Sequence, residues 1–179
     1  MMIQTLKRMS EKKYYIGMDL GGTNIKASLY TADFKQIDEM RTPTEAKMGS
    51  GIVLDRMKKT IGSLLVNNNV APEEVLCMGM GIPGLMDREK GISFFSPNFQ
   101  DWENVPIVEW FQNEFGIPTY IDNDARVNLY GEWYFGAGKG KSNVFLLTLG
   151  TGLGAAVIID GHVLYGATGN VGEIGHMNM

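Results

Sequence analysis

Glycine is distributed unevenly in this chain, and its placement is the strongest constraint on the fold. The 23 glycines gather in short groups at the ends of apolar runs, where backbone must turn tightly or approach a ligand closely. One arrangement occurs twice: a strand, a glycine turn and a second strand at Tyr14–Tyr30, and again at Val144–Ile159. Two such hairpins with helical patterns between them predict an α/β fold, with a mixed β-sheet flanked by helices.

The segments between the hairpins alternate between helix and strand patterns. Apolar positions at helical spacing predict helices, and short apolar runs next to glycine or proline predict strands. The predicted helices are Ser50–Asn67, Val105–Phe115 with Pro106 in its first turn, and Ala125–Phe135; the predicted strands are Glu74–Ile82 and Thr119–Ile121.

Charge and composition exclude several classes of protein. A net charge of −4 argues against a nucleic-acid partner, because such proteins carry a basic face. No apolar run reaches the roughly 20 residues of a membrane helix, so no membrane partner is expected. Residues 1–13 form a polar leader without the apolar middle of a secretory signal, and Cys77 is the single cysteine. We therefore expect a cytoplasmic protein whose domain spans residues 14–179.

The first motif is Asp19–Thr23, an acidic residue followed by Leu, two glycines and a hydroxyl. Backbone N–H groups and a hydroxyl in such a turn can surround phosphate oxygens, while the carboxylate holds a hydrated Mg²⁺. The alternative is a plain hairpin turn, in which Gly-Gly pairs are common.

The second motif is Gly150–Gly154, with the sequence GTGLG. Gly150, Gly152 and Ala155 fit the dinucleotide-binding fingerprint, and Glu173 lies about 20 residues further on. That fingerprint must open a helix, whereas residues 155–161 read as a strand that ends in an Asp-Gly turn. A second phosphate-binding hairpin is therefore the better interpretation.

Two further motifs carry polar side chains. Asp122-Asn123-Asp124 lies between a predicted strand and a predicted helix; Asp122 or Asn123 can simply cap that helix, but three polar groups exceed what one cap requires. Asn and Asp can bind sugar hydroxyls, and one Asp can accept the proton of an attacking hydroxyl. In Gly172–His176, Glu173 and His176 would share a face of a helix and could bind hydroxyls. His162 has no assigned role.

The set of motifs resembles the ROK (repressor, open reading frame, kinase) family of sugar kinases. Its members share a DxGGT hairpin, a GxPG loop, an NDA segment, a GTGxG hairpin and an ExGH segment in this order. The matching residues here are Asp19–Thr23, Gly81–Asp87, Asn123–Ala125, Gly150–Gly154 and Glu173–His176. The resemblance implies an actin-like ATPase fold with two ribonuclease-H-like lobes, of which this chain is the N-terminal one, and an ATP:hexose phosphotransferase of the glucokinase kind.

The resemblance also implies a role for individual residues. Asp124 would be the catalytic base. The residues that would bind the sugar are Gly84, Asn98, Asn123, Asp124, Glu173 and His176. Those that would surround ATP and Mg²⁺ are Asp19, Gly21, Gly22, Thr23, Thr151 and Gly152, with Asp19 as the Mg²⁺ ligand. In the full-length protein His176 would also bind a structural Zn²⁺ together with downstream cysteines. Zn²⁺ is not expected in this chain, because one cysteine cannot complete a four-ligand site.

The sequence departs from the family pattern at two points. Arg126 stands where many members have Asn after NDA, which leaves position 126 without an implied role. The chain ends at Met179, before the expected second lobe, so we expect negligible kinase activity from it alone. Apolar surface normally covered by that lobe raises the hypothesis of a homo-oligomer.

Alternatives remain in function and in substrate. ROK transcriptional repressors attach a DNA-binding domain in front of the same sugar-binding fold, and only about a dozen residues precede the first strand here, too few for such a domain. An actin-like structural ATPase would share the hairpins but has no need of the Asn123, Asp124, Glu173 and His176 set. Glucose is the first candidate substrate; mannose, fructose, allose and N-acetylated amino sugars are the alternatives.

Overall fold

A computed structural model describes residues 13–150, 152–167, 169 and 171–176 of the chain. The described residues form two compact units, and the boundary between them follows Ile121. Strands alternate with helices in both units, which confirms the predicted α/β class. Within the described ranges, no helix is both long enough and apolar enough to cross a membrane.

The regular elements are numbered in chain order. The strands are β1 (Tyr14–Leu20), β2 (Asn24–Thr31), β3 (Gln36–Pro43), β4 (Val75–Ile82), β5 (Leu85–Asp87), β6 (Ile92–Phe95), β7 (Glu103–Val105), β8 (Thr119–Asn123), β9 (Val144–Leu149), β10 (Leu153–Ile159) and β11 (His162–Val163). The α-helices are α1 (Ser50–Asn67), α2 (Ile107–Phe115) and α3 (Asp124–Tyr134).

The first unit is built on a five-stranded mixed sheet in the order β3-β2-β1-β4-β8. Strand β1 is antiparallel to β2 and parallel to β4, as the predicted mixed sheet requires. Alternate residues Ile16, Met18 and Leu20 of β1 are buried, which is the period-2 pattern of a strand with one face in the core.

Helix α1 covers one face of this sheet and contacts β2 and β3. Its apolar residues recur every three or four positions, and Val53, Met57, Ile61 and Leu64 are fully buried. Burying an aliphatic side chain of this size stabilises the fold by roughly 1.5–3 kcal/mol. The predicted helix over Ser50–Asn67 is confirmed.

Helix α2 begins later than the sequence pattern predicted. Val105 belongs to β7, where it pairs with Ser93 of β6, and Pro106 is the N-cap residue with ψ of 69°. Placing Pro106 in the first helical turn was therefore wrong. Strands β3, β5, β6, β7 and β11 were not predicted.

The second unit contains a three-stranded antiparallel sheet in the order β11-β10-β9, with α3 packed on β9 and β10. Asp160 and Gly161 connect β10 to β11 with φ of 50° and 76°, the conformation of a type I′ hairpin turn. This confirms the predicted Asp-Gly turn.

Strand β9 shows apolar side chains to solvent. Phe145, Leu147 and Leu149 alternate with less exposed residues and are 60%, 51% and 85% exposed. We call these three residues the β9 stripe. An apolar row on an edge strand favours association with another protein surface.

Candidate functional site

The turn between β1 and β2 is a tight glycine hairpin held by the residue that follows β3. The Gly21 N–H donates to the Asn24 carbonyl at 3.0 Å, and a Cβ on Gly21 would lie 2.8 Å from that oxygen, so only glycine fits without a shift. Thr44 is fully buried; its hydroxyl donates to the Gly21 carbonyl at 2.6 Å and its N–H to the Thr23 carbonyl at 2.9 Å. The exposed residues Gly22 and Thr23 are thus held in one conformation, as a phosphate-binding turn requires.

Asn98 lies beside this turn. A Cβ built on Gly22 would contact the Asn98 side chain at 3.6–3.8 Å. Trp102 anchors the loop that carries Asn98 and is 1% exposed. Its ring lies 4.9 Å from the Phe99 ring, centroid to centroid, and its indole N–H donates to the Ser93 hydroxyl at 2.8 Å. The predicted sugar-binding and phosphate-binding residues of the first unit are therefore neighbours.

Gly84 occupies a position that no other residue can take without strain. Its φ is +91°, and a Cβ there would lie 2.1 Å from the Phe95 carbonyl oxygen. This close approach brings the backbone after Pro83 against Phe95, the last residue of β6, which directly precedes the Ser96-Pro97-Asn98 loop. At the end of the same motif, the Lys90 backbone N–H donates to Asp87 at 2.9 Å and, with the Lys90 ammonium 3.3 Å away, lowers the pKa of the Asp87 carboxyl.

Asp19 is exposed near the end of β1, paired in register with Gly81 of β4. Mg²⁺ in phosphotransfer sites keeps several waters and takes one or two protein carboxylates plus phosphate oxygens, so a single exposed carboxylate beside the predicted phosphate-binding turn fits this ion. Among the described residues, no group of three or more His, Cys, Asp or Glu side chains could hold a metal by itself.

Asn123 is the N-cap of α3 in the second unit. Its Oδ1 accepts from the N–H groups of Ala125 at 3.0 Å and Arg126 at 3.4 Å, and its φ and ψ of −60° and 140° are those of a cap. The capping interpretation therefore holds for Oδ1. The amide Nδ2 makes no hydrogen bond to the residues described in this unit, so it remains available as a donor.

Asp124 is the first residue of α3. Its Oδ1 accepts from the Ala125 N–H at 2.8 Å, which fixes the carboxylate at the helix start, and the residue is partly exposed. A carboxylate held by one oxygen and open at the other has the geometry that a general base needs.

The β9–β10 turn lies next to the start of α3. Gly150 donates its N–H to the Gly152 carbonyl at 3.0 Å, while Thr151 lies outside the described residues. A Cβ on Gly154 would lie 2.6 Å from the Thr148 hydroxyl and 3.4 Å from the Ala125 Cβ. Because Leu153–Ile159 is a strand, the rejection of the dinucleotide-binding fingerprint is confirmed.

The segment that carries Glu173 packs on β10. Gly172 has φ of +109°, and a Cβ there would lie 1.8 Å from the Ala155 carbonyl oxygen; its own carbonyl accepts from the Ala155 N–H at 2.9 Å. Gly175 approaches the Leu153 carbonyl in the same way. His176 ends a single 3₁₀ turn, Ile174–His176, but its side chain lies outside the described part. Gly154 therefore neighbours both Ala125 and the strand residue on which Gly172 packs.

Arg126 was missed as a functional candidate, and Asp122 was considered only as part of the Asp122-Asn123-Asp124 motif. Arg126 and Asp122 form a buried ion pair, with Nε donating to Oδ1 at 2.7 Å and side chains 6% and 12% exposed. Asp122 lies in β8 and Arg126 in the first turn of α3, so helical spacing does not explain this pair, and no sequence pattern signalled it. Thr44 gave no signal, because its role depends on pairing of β3 with β2.

Comparisons of the sequence and of the structure with known proteins point to the same family. A family model described as the ROK family matches residues 15–179. A glucokinase from Thermotoga maritima is 40% identical over 162 residues, which cover 90% of this chain and 50% of that protein. A xylose repressor from Caldicellulosiruptor bescii is 33% identical over 165 residues, covering 90% of this chain and 40% of the repressor.

Among solved structures, the chain is similar to a ROK family glucokinase from Streptomyces griseus in complex with glucose and AMPPNP. The TM-score is 0.82 at 29% identity, and the match covers 93% of this chain and 51% of that one. The chain thus spans about half the length of the glucokinases it matches.

Proposed function

The chain belongs to the ROK family and has its actin-like ATPase fold, and on that premise we propose that the whole protein phosphorylates a hexose with ATP, glucose being the first candidate. Glucokinase relatives support a carbohydrate kinase at the level of the family. A structural neighbour bound to glucose and an ATP analogue supports ATP as the phosphate donor.

The observation that carries the proposal is the placement of Asp124. One oxygen accepts the Ala125 N–H while the Asn123 cap fixes the helix start. In the proposed reaction Asp124 accepts the proton of the attacking sugar hydroxyl. The oxygen of the sugar hydroxyl forms the new bond to the γ-phosphorus of ATP. At the same time the bond between the γ-phosphorus and the bridging β-phosphate oxygen breaks, and ADP leaves.

The remaining assignments follow the two halves of the site. Asn123 through Nδ2, Glu173 and His176 bind sugar hydroxyls, joined by Asn98 and the backbone at Gly84. Gly21, Gly22, Thr23, Thr151 and Gly152 surround the phosphates, and Asp19 holds Mg²⁺. The ion, when bound, neutralises charge on the phosphate oxygens; orienting the sugar is the task of the protein side chains.

The chain spans only about half the length of the glucokinases it matches, and this affects what we propose for the chain alone. Closing a kinase site excludes water and completes the grip on ATP, so we propose that the chain alone has negligible activity. A structural Zn²⁺ is proposed only for the whole protein, with His176 as one ligand. The location proposed for that protein is the cytoplasm, where ATP is available.

A second function is favoured by one finding. The similarity to a xylose repressor supports a sugar-sensing domain of a ROK transcriptional regulator. A sensor needs the sugar contacts, but it has no use for a base aimed at an attacking hydroxyl.

The test is a hexose panel with Mg-ATP on the whole protein, with this chain assayed beside it. We expect turnover with one sugar, and a loss of about 10²–10⁴-fold in kcat for Asp124→Asn with sugar binding retained. Asp55→Asn is the matched control, because Asp55 is exposed on α1. Sugar binding without turnover in the wild-type protein would favour the sensor, and full activity in Asp124→Asn would remove Asp124 from the mechanism.

A further inference from the structure

Arg126 is buried and joined to three different groups. The residue is 5% exposed. Its Nε donates to Asp122 Oδ1 at 2.7 Å, its Nη1 donates to the Gly169 carbonyl at 2.8 Å, and its guanidinium carbon lies 5.3 Å from the centre of the Tyr165 ring. A charged side chain taken out of water is tolerated only with such partners.

One end of this network is the N-terminus of α3. Asp122 Oδ1, the acceptor for Arg126, also accepts the Asn123 N–H at 2.7 Å. The Arg126 backbone N–H in turn donates to Asn123 Oδ1. The Arg126 side chain is thus linked through Asp122 to the residue that caps the helix beside Asp124, whereas the backbone N–H contact would remain with any side chain at this position.

The other end is the chain segment that leads to Glu173, residues 164–176. Gly169 lies in it, and Tyr165, under the guanidinium, shares a hydrogen bond with Tyr130 of α3 at 2.6 Å between their hydroxyl oxygens. Further along, Gly172 is bonded to Ala155 of β10. The segment is therefore attached to α3 at Tyr165 and Gly169 and to β10 at Gly172.

We propose that Arg126 is a positioning residue, which fixes the 164–176 segment against α3 and thereby sets where Glu173 lies relative to Asn123 and Asp124. The proposal rests on the proposed function only in taking these residues as the ones that handle the sugar. The planar guanidinium suits the task, because it offers donors in a fixed fork to Asp122 and Gly169 while it stacks on an aromatic ring. A lysine ammonium keeps the charge but not that geometry.

The test uses two substitutions in the whole protein. Arg126→Lys keeps a cation for Asp122 and so avoids an uncompensated buried carboxylate, whereas Arg126→Met removes every polar contact of the side chain. Arg41→Met is the matched control, because Arg41 is exposed on β3 and pairs with Glu39 of the same strand.

The first readout does not depend on activity. Hydrogen exchange of backbone amides reports local opening. We expect faster exchange of the 164–176 segment in Arg126→Lys, with exchange in the β9–β10 ladder unchanged. Unchanged protection of the segment in both variants would overturn the proposal.

The second readout is kinetic. A misplacement of about 1 Å at a site can cost about 10²-fold in rate, so we expect kcat/KM for the sugar to fall by about 10²-fold in Arg126→Lys, while KM for ATP stays near the wild-type value. Adding Glu173→Gln to Arg126→Lys should cost less than Glu173→Gln alone, since coupled residues are not additive. Full additivity, or equal losses for sugar and ATP, would indicate a merely structural arginine.

Failure of the proposed function would look different. A wild-type protein that phosphorylates no hexose contradicts the kinase but leaves the exchange experiment to decide the role of Arg126. A wild-type kinase in which Arg126→Lys has normal exchange and a normal kcat/KM for the sugar keeps the proposed function and refutes the positioning role.

Discussion

Asn123 has an observed capping contact and a proposed sugar contact, and substitutions can separate the two. Its Oδ1 caps α3 by accepting two backbone N–H groups, and its Nδ2 is the proposed donor to a sugar hydroxyl. Asn123→Ala removes both contacts. Asn123→Ser keeps a capping oxygen, since serine is as good an N-cap as asparagine, but removes the amide donor.

The expected magnitudes follow from the structure. Loss of an N-cap costs about 0.5–2 kcal/mol. The lower half of that range is expected here, because the Ala125 N–H keeps a second acceptor in Asp124 Oδ1. Asn123→Ala should therefore lower the free energy of unfolding by about 1 kcal/mol, while Asn123→Ser should change it by only a few tenths. Loss of a hydrogen bond to an uncharged hydroxyl, about 0.5–1.5 kcal/mol, should weaken sugar binding about 2- to 12-fold in both variants.

Two assays measure these effects. Urea unfolding of the chain, followed by far-ultraviolet circular dichroism, gives the change in stability from the midpoint if the slope is unchanged. Calorimetric titration of the whole protein with the sugar gives the change in affinity. Asn123→Ser as unstable as Asn123→Ala would refute the cap, and wild-type affinity in Asn123→Ser would refute the amide donor.

Two further predictions concern the glycine positions and the exposed strand. Gly84→Ala should destabilise the chain by about 1–3 kcal/mol in urea unfolding, because φ is +91° and the new Cβ would meet the Phe95 carbonyl; Gly79→Ala, with open space around it, should be neutral or slightly stabilising, and equal effects would contradict this reasoning. If the β9 stripe causes self-association, Leu147→Thr with Leu149→Thr should shift the chain toward monomer in analytical ultracentrifugation, whereas exposed Val66→Thr on α1 should not; an unchanged oligomer would place the contact elsewhere.

The sequence predicts the elements whose burial pattern is simple. Strand β1 and helix α1 have apolar residues at one regular spacing. Strand β1 was predicted as the first strand of the Tyr14–Tyr30 hairpin, and α1 was predicted with its observed bounds. Strand β3 gives no such signal, because Gln36–Pro43 is largely exposed and polar. The position of β3 in the sheet is set by its antiparallel pairing with β2. The sequence of β3 alone does not show that pairing. In β6 the pattern is inverted, since Ser93 is buried and Phe94 and Phe95 are exposed.

The candidate site likewise contains features that the local sequence predicts and features that it does not. Local chemistry was sufficient for the capping of α3, because a cap depends on residues within one turn. The roles of Thr44 and Arg126 depend on partners far along the chain, at Gly21 and Gly169. A sequence motif contains the residues that would contact a ligand. It does not contain the distant residues that hold them in position.

This distinction bears on the choice between kinase and sensor. As proposed here, both functions would use the Asn123 amide to hold the sugar and the 164–176 segment fixed against α3, so the Arg126 network would serve either. Only the kinase needs a carboxylate with one oxygen bonded to the Ala125 N–H and the other able to accept a proton. Because an N-cap is already supplied by Asn123, capping alone does not require an acid at position 124. Because an acid in the first turn also interacts favourably with the helix dipole, the kcat of Asp124→Asn is the measurement that separates the kinase from the sensor.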